Sequence, residues 1–255
     1  MPIPQTHVER GIDVVEKDPE ITQAVILAGG LGTRLRPITH TVPKPMVLVA
    51  RRPFLGHLIA KLKNDGFYDI LLLVGYQHEK IADHFKDGSE LGVRIRYSVE
   101  DTPIGTGGAL RQAREMLAPT FLLANGDTYL PIPLTALREA FKKRMKLGMM
   151  LVYPNQDRVF DNNLCVKDDM ILKYEKGSKA PDLNAVDSGF SIFKKKVIDL
   201  ISDHTPCSFE EEVYPILIKK RQLACVVTTE KFYDIGTPEG LKMTEEAIMR
   251  ERDVR

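Results

Sequence analysis

The stretch Leu27-Ala28-Gly29-Gly30-Leu31-Gly32-Thr33-Arg34-Leu35-Arg36-Pro37, closed by Pro43-Lys44-Pro45, constrains this chain more than any other. It follows Ala24-Val25-Ile26-Leu27, an apolar run that reads as a buried strand. Glycine directly after a strand lets backbone N–H groups approach an anion with no Cβ in the way. Arg34, Arg36 and Lys44 add positive charge to the same segment, which suits a loop that holds a polyphosphate. It is not a Walker A loop, because no lysine–serine or lysine–threonine pair follows its glycines. Nor is it a dinucleotide fingerprint, since Gly30-x-Gly32 leads to Leu35 where that motif needs a third glycine.

A net charge of +1 over 255 residues argues against a general nucleic-acid binder, which needs a basic excess or a clustered patch. Phosphate binding must then come from a local site. No run of about eighteen apolar residues is present, so no membrane partner is expected. Met1–Glu20 lacks the apolar core of a secretory signal. Cys165, Cys207 and Cys225 are odd in number and widely spaced, as for free thiols in a reducing, cytoplasmic setting.

Beyond the loop, strand-like and helix-like segments alternate. Strands are expected at 24–27, 46–49, 69–74, 93–97, 120–124 and 149–153. Helices are expected from Pro53 to a stop at Gly66, over 78–85, from Ala109 to Leu117 and over 134–146. This rhythm predicts an α/β fold, Rossmann-like and doubly wound, with a mostly parallel mixed sheet. Shorter strands at 164–166, 170–174 and 189–193 mark a smaller lobe. Ser208-Phe209-Glu210-Glu211 starts a helix as a capping box, and Thr237-Pro238 opens the last one. The organisation expected is an unassigned extension at 1–23, a main domain at 24–240 and a C-terminal helix at 241–255. In such sheets ligands lie beyond the carboxyl ends of the strands, where the glycine loop, Glu100–Gly108 and Asp127 fall.

Asp127 and Asp234 each follow a strand, and each alone reads equally well as a turn former. Together, near a phosphate loop, they suit Mg²⁺, a hard cation that takes carboxylate and phosphate oxygens. The histidines show no metal-ligand spacing, and nothing resembles a Ser-His-Asp arrangement.

Taken in order, the glycine loop, Pro43-Lys44-Pro45-Met46, Gly105-Thr106-Gly107-Gly108-Ala109, Asn125-Gly126-Asp127 and Asp234-Ile235-Gly236-Thr237-Pro238 resemble the sugar-1-phosphate nucleotidyltransferases. Tyr97–Ala109 is most similar to the branch that guanylylates D-glycero-α-D-manno-heptose 1-phosphate. The resemblance implies that a nucleoside triphosphate and a sugar 1-phosphate give a nucleotide-sugar and pyrophosphate. For this branch the product would be GDP-heptose, made for surface polysaccharide. It implies Arg34, Lys44 and Asp127 as catalytic residues, and Mg²⁺ held by Asp127 and Asp234. Leu27, Ala28, Gly29, Gly30, Gly32, Thr33, Glu100, Gly105 and Gly107 would bind the nucleotide. Gly108, Glu175, Lys176 and Gly189 would bind the sugar phosphate. Glu100 falls beside the base, where a carboxylate can accept from both N1–H and N2–H₂ of guanine, so GTP is favoured.

Asp187-Ser188-Gly189 departs from the family pattern, in which many members carry asparagine before the glycine. Related activities on mannose 1-phosphate, or with a uridylyl or thymidylyl donor, therefore stay open, as does a non-catalytic nucleotide-sugar sensor. A transferase for phosphocholine would want an aromatic cage, and the chain has no tryptophan. The sequence leaves the oligomeric state open, a homo-oligomer included.

Overall fold

A computed structural model describes residues 20–253, so most of the extension at 1–23 lies outside the described residues. The chain builds β1 (Gln23–Leu27), a hairpin of β2 (Leu48–Val49) and β3 (Arg52–Pro53), α1 (Phe54–Asn64), β4 (Asp69–Val74), α2 (His78–Phe85) and β5 (Arg94–Val99). It continues with α3 (Gly105–Gln112), β6 (Thr120–Asn125), β7 (Thr128–Tyr129), α4 (Thr135–Arg144) and β8 (Gly148–Tyr153). Then follow β9 (Leu164–Lys167), β10 (Met170–Tyr174), β11 (Val186–Lys194), α5 (Phe209–Lys219), β12 (Leu223–Val227), β13 (Tyr233–Asp234) and α6 (Pro238–Asp253).

Nine strands form one sheet in the order β5-β4-β1-β6-β11-β8-β12-β10-β9. β5, β4, β1 and β6 are parallel, β11 is antiparallel to both its neighbours, and β12 runs parallel to β8. The β9–β10 hairpin carries the sheet into the smaller lobe. The expected mixed, mostly parallel architecture is therefore present.

The apolar runs of β1 and β4 are buried on both faces because their side chains alternate between two cores. Ala24, Ile26, Ile70, Leu72 and Val74 point to one, with Leu55, Leu58 and Leu62 of α1 and Leu137 and Phe141 of α4. Val25, Leu71 and Leu73 point to the other, with Leu110 of α3 and Phe209, Val213 and Leu217 of α5. Each Val, Leu, Ile or Phe among them, fully buried, contributes about 1.5–3 kcal/mol relative to exposure. No helix among the described residues is long and apolar enough to cross a membrane.

Two local expectations fail. The strand expected at 46–49 is only Leu48–Val49, because Lys44–Met46 is a tight 3-10 turn. The helix expected over 109–117 starts earlier, at Gly105, and ends at Gln112. Glycine costs about 1 kcal/mol in a helix, but here Gly107 and Gly108 let α3 press onto the chain entering α5. A Cβ on Gly107 would stand 3.0 Å from Cys207 Sγ, and one on Gly108 3.3 Å from Thr205 Cγ2. Tertiary contact overrides propensity.

Candidate active site

The site forms where β1, β6 and β5 end. Leu27 pairs with Asn125 at the last register step of β1 and β6. Just beyond, Gly126 N donates to Leu27 O at 2.9 Å. A Cβ on Gly126 would stand 2.4 Å from that oxygen, so this crossing accepts only glycine. Asp127 is thereby set against the glycine loop. Lys44 Nζ donates to Asp127 Oδ2 at 2.5 Å, and Thr128 Oγ1 donates to Asp127 Oδ1 at 3.1 Å.

The loop from Ala28 to Pro45 is tied down by its neighbours. Thr39 Oγ1 donates to Gly32 O at 2.8 Å, while Tyr76 and Gln77 both donate to His40 O. Lys80 reaches Thr41 O. The loop's two ends, Ala28–Gly30 and Lys44–Pro45, line the cavity wall.

Asp234 is brought beside the Asp127 turn from the far end of the chain, although it lines neither of the cavities described below. β13 pairs with β7 so that Asp234 faces Thr128, the neighbour of Asp127. Its Oδ1 accepts from Gly236 N at 2.7 Å. Arg34 lies beside Gly236 too, where a Cβ would stand 2.6 Å from Asp234 Oδ1 and 3.1 Å from Arg34 Nη2. Asp127, in the turn before β7, and Asp234, on the paired strand β13, offer the oxygen donors that suit Mg²⁺. No cluster of three or more His, Cys, Asp or Glu side chains placed for a metal exists among the described residues.

A cavity of 440 Å³ lies between these elements. Leu27, Ala28, Gly29, Gly30, Lys44, Glu100, Gly105, Asp127 and Lys176 line it, as do Thr106, Asn125 and Glu210. Glu100 leaves β5 with its amide bonded to Val74 O and its Oε2 accepting from Ile104 N at 3.3 Å. Its Oε1 would stand 2.6 Å from a Cβ on Gly29, so the carboxylate lies against the loop's backbone. Burial raises its pKa above the usual glutamate value, and the Ile104 bond opposes the shift.

A second cavity of 140 Å³ shares Leu27, Asn125, Lys176 and Glu210 with the first and is also lined by Gly189, Asp187, Tyr174 and Tyr214. Other expected residues stand elsewhere. Gly32, Thr33, Arg34 and Asp234 line neither cavity, nor do Gly107 and Gly108, which pack on the chain entering α5. Glu175 is outside both, bonded to Lys173 at 3.0 Å.

A model of the family described as nucleotidyl transferase matches residues 23–251, from the start of β1 into the last turn of α6. The chain belongs to that family. It is 35% identical over 218 residues to a D-glycero-alpha-D-manno-heptose 1-phosphate guanylyltransferase from Campylobacter jejuni, covering 85% of this chain and 96% of that one. It is 32% identical over 220 residues to a mannose-1-phosphate guanylyltransferase from Mycobacterium tuberculosis, which covers 85% of this chain but only 61% of that protein. The crystal structure of HddC from Yersinia pseudotuberculosis complexed with GMP-PN matches with a TM-score of 0.73 and 29% identity, over 89% of this chain and all of that one.

In this nucleotidyl transferase, sequence reasoning missed Glu210, Thr106 and Asn125. Glu210 was legible only as part of a helix start. The hint was a first turn with Glu210, Glu211 and Glu212, more acid than one cap requires.

Proposed function

We propose that this protein joins GTP and a sugar 1-phosphate, with a manno-heptose 1-phosphate favoured, into a GDP-sugar and pyrophosphate. The observation that carries the reading is convergence: the glycine loop, the Lys44–Asp127 pair and Glu100 all face one cavity. The nucleophile is an already ionised phosphate oxygen of the sugar 1-phosphate, so no general base is needed. It forms a bond to the α-phosphorus of GTP while the bond to the bridging oxygen of pyrophosphate breaks. The task left to the protein is to bring anions together and offset charge on the leaving group.

Backbone N–H groups at Gly29 and Gly30 take the triphosphate and Lys44 neutralises it, with Arg34, which lies outside the cavity wall, assigned to it by the family resemblance. Asp127 and Asp234 would hold Mg²⁺, which would offset phosphate charge as a Lewis acid. Glu100 accepts from the two donors on the guanine edge. Lys176, on the wall shared by both cavities, takes the sugar's phosphate. The guanylyltransferases among the relatives support GTP with a manno-heptose or mannose 1-phosphate. The product would be an activated sugar for surface polysaccharide, made in the cytoplasm.

The test is pyrophosphate release with Mg²⁺ across a grid of nucleoside triphosphates and sugar 1-phosphates. GTP with a manno-heptose 1-phosphate is expected to be fastest, with mannose 1-phosphate as the informative rival. No release with any pair overturns the reading in favour of a sensor.

A further inference from the structure

The smaller cavity is built around a carboxylate that the glycine loop does not involve. β11 loses register with β8 between Asp187 and Ser191, an irregularity of the kind that re-aims a side chain. Asp187 Oδ1 accepts from Gly189 N at 2.8 Å, which holds the carboxylate in a tight local turn. Its Oδ2 has no hydrogen-bond partner among the described residues, and the residue lines the chamber.

Glu210 stands across the same chamber at the start of α5. Its Oε2 is occupied twice, by Thr106 Oγ1 and by Ser208 Oγ, each at 2.8 Å. Thr106 also accepts from Phe209 N at 2.9 Å, so α3 and α5 jointly fix this carboxylate. Its Oε1 has no partner among the described residues. The chamber thus offers two acceptor oxygens from different elements, connected to the main cavity through Lys176 and Asn125.

Once a sugar phosphate has neutralised Lys176, two carboxylates remain to meet the rest of the sugar. Acceptor oxygens suit hydroxyl donors and repel a second anionic group. We propose that Asp187 and Glu210 determine sugar specificity, taking hydroxyl donors of a non-acidic sugar and excluding a sugar that bears a carboxylate. This rests on the transferase reading.

The charged and titratable groups facing Asp187 are Glu210 and Tyr214 on α5, Tyr174 on β10 and Lys176 just after it. Burial, with a contribution from Glu210, pushes Asp187 up to about 7, while the Gly189 bond and Lys176 pull it down. Exclusion of an acidic sugar should therefore sharpen as pH rises from 6 to 8.

The decisive variant is Asp187→Asn, whose amide oxygen can keep the Gly189 bond while Nδ2 places a donor where Oδ2 stood. The measurement is kcat/KM for a neutral hexose 1-phosphate and for the matching hexuronic acid 1-phosphate, at pH 6, 7 and 8. The phosphate's own ionisation then cancels in the ratio. The wild type is expected to favour the neutral sugar by about 100-fold at pH 8 and D187N to narrow that ratio at least about tenfold, a factor worth 1.4 kcal/mol. The change should appear in KM for the sugar phosphate and not for the nucleotide, and the D187N ratio should be flat with pH. Glu210→Gln should narrow the ratio in the same direction. Turnover by both variants with an unchanged sugar ratio overturns this inference alone. No turnover by the wild type with any pair overturns the transferase reading and this inference together.

Discussion

Lys44 and Asp127, distant in sequence, meet at 2.5 Å where the glycine loop crosses the end of β6. Lys44 is nearly enclosed and Asp127 is about one-third exposed, so the pair stands at the mouth of the cavity rather than in the core. Its position matters more than its stabilisation, since a partly solvated ion pair contributes little to folding.

Lys44→Ala and Asp127→Asn are each expected to lower the rate on the order of 100-fold or more, as for other groups that act on developing charge. The melting temperature should move little. Steady-state turnover by purified variants checks this, and a native rate from either one removes that residue from the catalytic set.

Asp234→Asn should raise the Mg²⁺ concentration needed for half-maximal rate. Chelation with EDTA should abolish turnover by the native protein, and added Mg²⁺ should restore it. A Mg²⁺ titration of the variant that overlays the native one would remove Asp234 as a ligand.

Glu100→Gln should reduce GTP use more than UTP use, because only guanine presents two donors to a carboxylate on that edge. Equal losses for both nucleotides would refute base reading. The fold raises the pKa of Glu100, so the native state takes up its proton more readily than the unfolded chain. Stability from this group therefore grows as pH falls through the raised pKa and is lost above it. Glu100→Gln should melt slightly higher than the native protein near neutral pH, with the gap closing in acid.

Glycine substitutions separate folding from binding. Gly126→Ala forces a Cβ to 2.4 Å from Leu27 O and should cost about 1–3 kcal/mol in denaturant unfolding, as overpacking does. A Cβ on Gly30 meets nothing within 4 Å. Gly30→Ala should unfold like the native protein yet bind GTP more weakly, if the loop's backbone is what approaches the phosphates. Calorimetric titration with GTP distinguishes the two.

Much of this was legible in the chain. The runs at Ala24–Leu27 and Ile70–Val74 announced strands covered on both faces, and both core clusters bear that out. Lys44 and Asp127 were singled out by residue type and position, Glu100 and Lys176 by the family resemblance, and all four line the main cavity. The early start of α3 was hidden because three glycines in four residues argue against a helix by propensity. Only the packing of Gly107 against Cys207 and Phe209 outweighs that cost. The resemblance placed Glu175 with Lys176 on the sugar phosphate, but only Lys176 lines the cavities, while Glu175 pairs with Lys173.

The amino-acid sequence alone determined the glycine loop after β1, because a strand followed by backbone-exposing residues is a local pattern that needs no distant contact. It also determined the alternating α/β layers, which follow from hydrophobic periodicity. Tertiary structure decided which carboxylates come near one another. Asp234 stands opposite Thr128, next to Asp127, only through the pairing of β13 with β7, and Glu210 shares a cavity with Asp187 only because α5 packs against α3 beside the irregular start of β11. Those meetings depend on long-range register, and no local stretch of sequence encodes the distance between two strands.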